Sequence, residues 1–232
     1  MITKLYTKVL GKIREASVFT AHFLHRVTHD YSYVDGVIQK YKTPELKKNS
    51  YQPYKLWTLV QILEEQKPKK ILEFGSGSST MIFADYAAKN GAEVVSVESD
   101  EGWAEKARTY LAGNDNVKIV FAKAFGFANL TPPQLKYDIN FDETFDLVFI
   151  DGPGGHFEGI ARKTGVTTNA LELKDPKLVL IDGRKATVHY MKDHMHSHAC
   201  RDSDLHSPRP VKPGYNYFSA FSKKVHTTGR SD

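Results

Sequence analysis

Short apolar runs alternate with helix-spaced apolar positions through most of the chain. From Tyr54 to Glu65, Leu56, Leu59, Val60 and Leu63 fall at i, i+3, i+4 and i+7, which predicts a helix with one buried face. Gln66-Lys67-Pro68 should stop it. A strand is predicted over Lys70 to Phe74, followed at once by a glycine turn and a helix over Ser78 to Ala88 that ends at Asn90-Gly91. Ala92 to Glu98 reads as a second strand, and Asp100 as the N-cap of a helix carrying Trp103, Ala107, Tyr110 and Leu111. Val117 to Ala122 and Leu178 to Ile181 read as further strands. Between them, Phe145 to Ile150 is so apolar that both of its faces should be buried. A proline-containing loop is expected over Phe125 to Glu143, and a poor helix, broken by Gly165 and two threonines, over Gly159 to Leu173. A helix at 184–195 and a late strand at Asn216 to Lys223 complete the pattern. This alternation predicts a doubly wound α/β domain over 54–232.

The first 53 residues read as an N-terminal helical extension. Leu5, Val9, Ile13, Val18 and Phe19, with lysines between them, predict one or two amphipathic helices. Packing on the chain's own domain is the expected role, with a membrane-surface helix or a dimer arm as the alternatives. Residues 28–53 are polar and read as a connection. No continuous apolar core marks a signal peptide, and no run nears the ~20 residues that cross a bilayer. The single cysteine, Cys200, excludes an intrachain disulfide, and a cytoplasmic location is expected. The net charge of +5 could favour an acidic partner. Yet the basic residues form no arginine-rich or aromatic–basic block, so a solvated surface is expected rather than a nucleic-acid face.

The chemistry is concentrated at Glu73-Phe-Gly-Ser-Gly-Ser-Ser-Thr80. Strand, glycine turn and helix place a ligand site at the carboxyl edge of a parallel sheet. A dinucleotide fingerprint would ask for a third small residue, and here the series is Gly75, Gly77, Thr80. Glu73, just before the first glycine, is poor company for a pyrophosphate and suits a ligand with an amino group or a sulfonium. Glu98 ends the second strand, where a carboxylate can take both ribose hydroxyls.

The three segments Glu73-Phe-Gly-Ser-Gly-Ser-Ser, Val97-Glu98-Ser-Asp and Phe145-Asp-Leu-Val-Phe-Ile-Asp151-Gly-Pro resemble the successive motifs of class I S-adenosylmethionine (SAM)-dependent methyltransferases. The resemblance covers about residues 54–185 and implies a mostly parallel seven-stranded sheet with SAM as cofactor. It implies that Gly75, Ser76 and Gly77 lie against the methionine part, and that Glu73 holds the loop or the ligand's amino group. Ser78, Ser79 and Thr80 would offer hydroxyls and helix-terminal N–H groups to the carboxylate. Glu98 would bind the ribose, and Ser99, Ala124 and Phe125 would border the adenine. Asp151 would stand near the methyl group. Lys123 departs from the pattern, because many relatives carry an acid there for the adenine amino group.

Methyl transfer needs alignment of the nucleophile, and a base where the nucleophile must lose a proton. Asp151 and His156, in Asp151-Gly-Pro-Gly-Gly-His156, are the candidates. Asp182 ends the fifth strand at the same sheet edge, but Gly183 stands where a third metal ligand would be needed, so no metal is expected. Arg184 could bind an acidic substrate or pair with Asp182. His194, His196, His198, Cys200 and His206 match no common zinc spacing. The expected function is methyl transfer to oxygen or nitrogen of a small, possibly acidic, molecule. An NAD-dependent oxidoreductase of similar fold and a non-catalytic binding module remain the alternatives.

Overall fold

The structure, a computed structural model, describes residues 2–41, 52–154, 156–160, 164–206, 211–212 and 214–224. Helices α1 (Ile2–Thr28) and α2 (Ser32–Lys40) precede α3 (Pro53–Gln66), β1 (Lys70–Phe74), α4 (Ser78–Asn90), β2 (Glu93–Glu98), α5 (Glu101–Tyr110) and β3 (Val117–Phe121). Then come β4 (Ala124–Phe127), β5 (Gln134–Tyr137), β6 (Leu147–Ile150), β7 (Val166–Thr167), β8 (Leu178–Ile181), α6 (Lys185–His194), β9 (His198–Arg201) and β10 (Ser219–Lys223).

Seven strands form one sheet in the order β3-β2-β1-β6-β8-β10-β9. β1, β2, β3, β6 and β8 run parallel, while β10 is antiparallel to both of its neighbours. The period-two alternation of each strand divides the core. Ile71, Phe149 and Leu180 pack towards Leu56, Leu59, Leu63 and Phe83 of α3 and α4. Leu72, Phe74, Val148, Ile150 and Val179 pack on the opposite face with Tyr137, Val188 and Met191. β6 and β8 are buried at every position, as their composition predicts. Each such large apolar side chain contributes about 1.5–3 kcal/mol.

Four segments differ from the sequence expectation, one of them the polar stretch at His198–Arg201, which forms the edge strand β9 beside β10. The polar connection at 28–53 contains α2, whose Val34, Val37 and Ile38 are buried at helical spacing. The expected loop at 125–143 contains a hairpin, because β4 pairs antiparallel with β5, and β5 then pairs with β7 into a second, three-stranded sheet. The weak helix expected over 159–173 is absent among the described residues, which hold β7 and a single 3₁₀ turn at Asn169–Glu172. Residues 161–163 lie outside the described residues. The broken pattern there records chain that serves the small sheet.

Helix α1 packs on its own domain through buried Ala21 and His25, and the Ser17 hydroxyl accepts from the Val211 N–H at 3.0 Å. The His22 ring bonds the Tyr215 hydroxyl. Its other face leaves Val9, Ile13, Phe19, Phe23 and Val27 exposed. Among the described residues no helix is long and apolar enough to cross a membrane.

Candidate functional site

The chain runs β1 to β2 to β3 on one side of β1 and then places β6 and β8 on the other. That reversal opens a crevice at the carboxyl ends of β1 and β6, where open α/β sheets bind ligands. Glu73 and Gly75 stand at the end of β1, Glu98 at the end of β2, Asp151 after β6 and Asp182 after β8. Four segments far apart in sequence thus share one edge.

Glu73 is wholly buried and accepts hydrogen bonds from Ser79 Oγ at 2.5 Å, Thr80 Oγ1 at 2.6 Å and Ser96 Oγ at 2.5 Å. Burial pushes its pKa up to about 7, against the pull of these hydroxyls. Of the two roles implied for Glu73, this geometry performs the first, since it ties the start of α4 to β1 and β2. The Ser79 and Thr80 hydroxyls are committed to that task, and Thr80 Oγ1 also accepts the Gly77 N–H at 2.8 Å. What the helix start can offer an anion is its backbone N–H groups.

The glycines do two different jobs. Gly75 has φ +97°, and a Cβ there would lie 2.7 Å from the Gly152 nitrogen. Gly152 packs back against it, since its own Cβ would lie 2.8 Å from Gly75 Cα. Both glycines are therefore required by the contact of the β1 loop with the turn after β6. Gly77 meets nothing within 4 Å and faces open space. The phenol of Tyr137 reaches the same place from β5: a Cβ on Gly152 would lie 1.9 Å from its oxygen. This hydroxyl is buried and makes no hydrogen bond of good geometry among the described residues, with the Ser99 side chain close enough only to pull weakly on its proton. Burial first, and then the Glu98 charge, hold its pKa well above the ordinary tyrosine value.

Glu98 fastens the loop from the other side. One oxygen accepts the Ser76 N–H at 3.0 Å and the Ser76 hydroxyl at 2.9 Å, and the other accepts the N–H groups of Ser99 at 2.7 Å and Asp100 at 2.9 Å. A carboxylate has about four lone-pair positions, so all are in use. Ser76 is held further by Trp103, whose indole N–H donates to its carbonyl at 3.0 Å. Ala124 is half-buried at the start of β4, and Phe125 is exposed with the Lys123 amine 5.3 Å from its ring centroid.

The turn bearing Asp151 is immobilised. Arg184 donates to the carbonyls of Asp151 at 2.6 Å and Pro153 at 2.8 Å, and Thr167 Oγ1 donates to that of Gly152 at 2.8 Å. The Asp151 carboxylate is partly exposed and lies 3.1 Å from Lys55 Nζ, which also pairs with Asp182. Burial disfavours the charge on Lys55, but Asp151 and Asp182 outweigh it and raise its pKa. Burial, and then Asp151, push Asp182 up to about 6, with Lys55 opposing. His156 is exposed, beyond the turn.

Sequence patterns had not pointed to Lys55, Tyr137 or Thr167. Lys55 sits one turn before Leu59 on the flank of the apolar stripe, where a lysine ordinarily reaches solvent. Tyr137 and Thr167 belong to the small sheet, which carried no strand signal. Of the histidine cluster, His194 stacks on Tyr190 and His198 bonds the Pro176 carbonyl at 2.6 Å. No group of three or more metal-ligating side chains gathers among the described residues.

An open cradle at Gly77, a buried phenol without a well-formed hydrogen bond and helix-terminal N–H groups fit a ligand that carries both a polar tail and a hydroxylated ring. Residues 72–160 match a sequence family described as a methyltransferase domain. No curated protein matches the chain in sequence. The fold is similar to that of a Klebsiella pneumoniae protein assigned as an O-methyltransferase, at 19% identity and a TM-score of 0.53, over 83% of this chain and 90% of that one. A Bacillus cereus O-methyltransferase in complex with SAH (S-adenosylhomocysteine) is similar at 18% identity and a TM-score of 0.51, over 92% and 100% of the two chains. The SAH-bound Podospora anserina methyltransferase PaMTH1 is similar at 16% identity and a TM-score of 0.50, over 88% of each chain.

Proposed function

We propose that this chain is a class I SAM-dependent methyltransferase acting on oxygen or nitrogen of a small molecule, an acidic one included, with Asp151 at the centre of the chemistry. The observation that carries the reading is the position of Asp151: a partly exposed carboxylate on a fully bonded turn, in backbone contact with the glycine loop. SAM, when bound, supplies a methyl group on a sulfonium, a good leaving group. The Gly75–Gly77 loop and the N–H groups opening α4 would hold its methionine part. Glu98 would hold the ribose, whose hydroxyls must then replace the Ser76 hydroxyl on a carboxylate with no free lone pair. Ser99, Ala124 and Phe125 would border the adenine.

Asp151 would align the acceptor and take its proton as the nucleophile forms, and His156 is the second candidate base. Lys55 and Arg184 offset the charges of Asp151 and Asp182, so the site carries no excess negative charge that would repel an acidic acceptor. The hairpin and β7 stand beside the turn and would set its shape.

Isothermal calorimetry with SAM and with S-adenosylhomocysteine tests the cofactor site; no heat from either at millimolar concentration would sink the reading. The Gly77→Ala variant sharpens it. Its methyl group meets no protein atom, so the unfolding free energy should stay within about 0.5 kcal/mol of the parent. Affinity for both ligands should fall about tenfold or more, because the methyl group occupies ligand space.

Tyr137→Phe should separate the two states in opposite directions. Removing a buried hydroxyl without a well-formed hydrogen bond should leave the free protein as stable as the parent, or up to about 2 kcal/mol more stable. Binding of S-adenosylhomocysteine should weaken about tenfold if the ligand satisfies that hydroxyl. Equal affinity in calorimetry would remove Tyr137 from the site.

A further inference from the structure

Ile150 and Ile181 are paired neighbours on parallel strands, so Asp151 and Asp182, one residue further on, leave the sheet side by side. Two carboxylates this close, one of them almost wholly buried, cannot both stay ionised without a cation. While Arg184 holds the Asp151 carbonyl, the cation bonded to both acids is Lys55 Nζ, whose side chain is 8% exposed. The helix that delivers it is anchored by Leu56 and Leu59, each 0% exposed, and the amine lies 5.8 Å from the Phe149 ring centroid. Such a lysine does not wander.

We propose that Lys55 takes, at this sheet edge, the place that a divalent cation could fill between Asp151 and Asp182, so that the transferase handles charge at its acceptor side without a metal. This deepens the methyl-transfer reading and rests on it. An ammonium has three donors, two of which serve the acids. A divalent ion asks for six or more oxygen ligands, most of which can be water where one or two carboxylates anchor it, so the acid pair could hold one weakly only with the ammonium gone. Gly183 offers no side chain beside Asp182, and among the described residues no third acid, histidine or cysteine converges. Lys55 is thus a positioning residue: it holds Asp151 in place, and it excludes metal from the pair.

The full chain can be titrated with Mn²⁺ and followed by loss of the free-ion EPR signal. The parent should take up none in the range up to ~1 mM that covers weak oxygen sites. Lys55→Ala should gain one Mn²⁺ per chain in that range, Lys55→Arg should gain none, and adding Asp182→Asn to Lys55→Ala should abolish the gain. A purely packing role for Lys55 would produce no such site. S-adenosylhomocysteine affinity of Lys55→Ala should stay within about threefold of the parent. Loss of that binding in the parent itself would instead be a failure of the cofactor reading. If Lys55→Ala does not fold, Lys55→Ser carries the same test. Mn²⁺ binding to the parent that is lost in Asp182→Asn would overturn the proposal. So would a folded Lys55→Ala or Lys55→Ser protein that binds S-adenosylhomocysteine and gains no Mn²⁺.

Discussion

Gly75→Ala should lower the unfolding free energy by roughly 2–4 kcal/mol and reduce affinity for SAM about 100-fold. Two costs add at this residue. Its φ of +97° is one that a side chain rarely adopts, and the new Cβ would sit 2.7 Å from the Gly152 nitrogen and 2.8 Å from Gly152 Cα. Both obstructing atoms are backbone, and their turn is pinned through its three carbonyls, so neither side can yield cheaply. The loop must shift instead, and it takes Ser76 and Gly77 with it. Gly152→Ala should be as harmful from the opposite side, with the Tyr137 hydroxyl as an additional obstacle. Urea unfolding and calorimetry on both variants check this. A Gly75→Ala protein as stable as the Gly77→Ala protein would show that the two loops do not touch as described.

The second large effect is a pH dependence. Glu73 titrates at about 7 in the folded protein and at an ordinary 4.5 when unfolded. Below the lower value it is protonated in both states and costs nothing. As pH rises through this window the unfolded chain ionises first, and the folded state loses stability until Glu73 ionises as well. The loss reaches up to about 3 kcal/mol above pH 7. Asp182, raised to about 6, adds a loss of the same sign. Glu73→Gln removes only the first contribution. The stability difference between parent and variant should therefore shift by about 2–3 kcal/mol in the variant's favour between pH 4.5 and pH 8. Parallel curves in urea unfolding at the two pH values would contradict a Glu73 titration in this range.

The cost of burying Glu73 has a structural return. Three hydroxyls from two elements converge on it, which sets the start of α4 against β1 and β2 before any ligand arrives. A site of this kind loses less entropy on binding than a loose glycine loop would. Glu98 fixes the same loop from the β2 side. The two acids expected to meet the ligand are, in the structure, the internal scaffold of the cradle. The methyltransferase-domain match over residues 72–160 points away from the NAD-dependent alternative, in the same direction as Glu73 and Thr80.

Leaving out the edge strand β9 and the small sheet, the sequence by itself determined the doubly wound sheet, the places of β1, β2, β3, β6, β8 and β10 and the residues at its carboxyl edge. Those depend on short-range signals: apolar period, glycine and proline punctuation, and an acid at a strand end. Lys70–Phe74 and Leu178–Ile181 were legible to the residue for that reason. Only the tertiary structure decided which groups meet there. Lys55 comes from a helix before the first strand, Tyr137 from a hairpin and Thr167 from a two-residue strand, and none of them carries a local signal for its destination. Their placement follows from strand order and from hairpin pairing over long sequence separations, and such contacts leave no periodicity in the chain. The carboxyl-edge acids could be read in advance. The buried lysine between two of them, and the phenol reaching towards the glycine loop, could not.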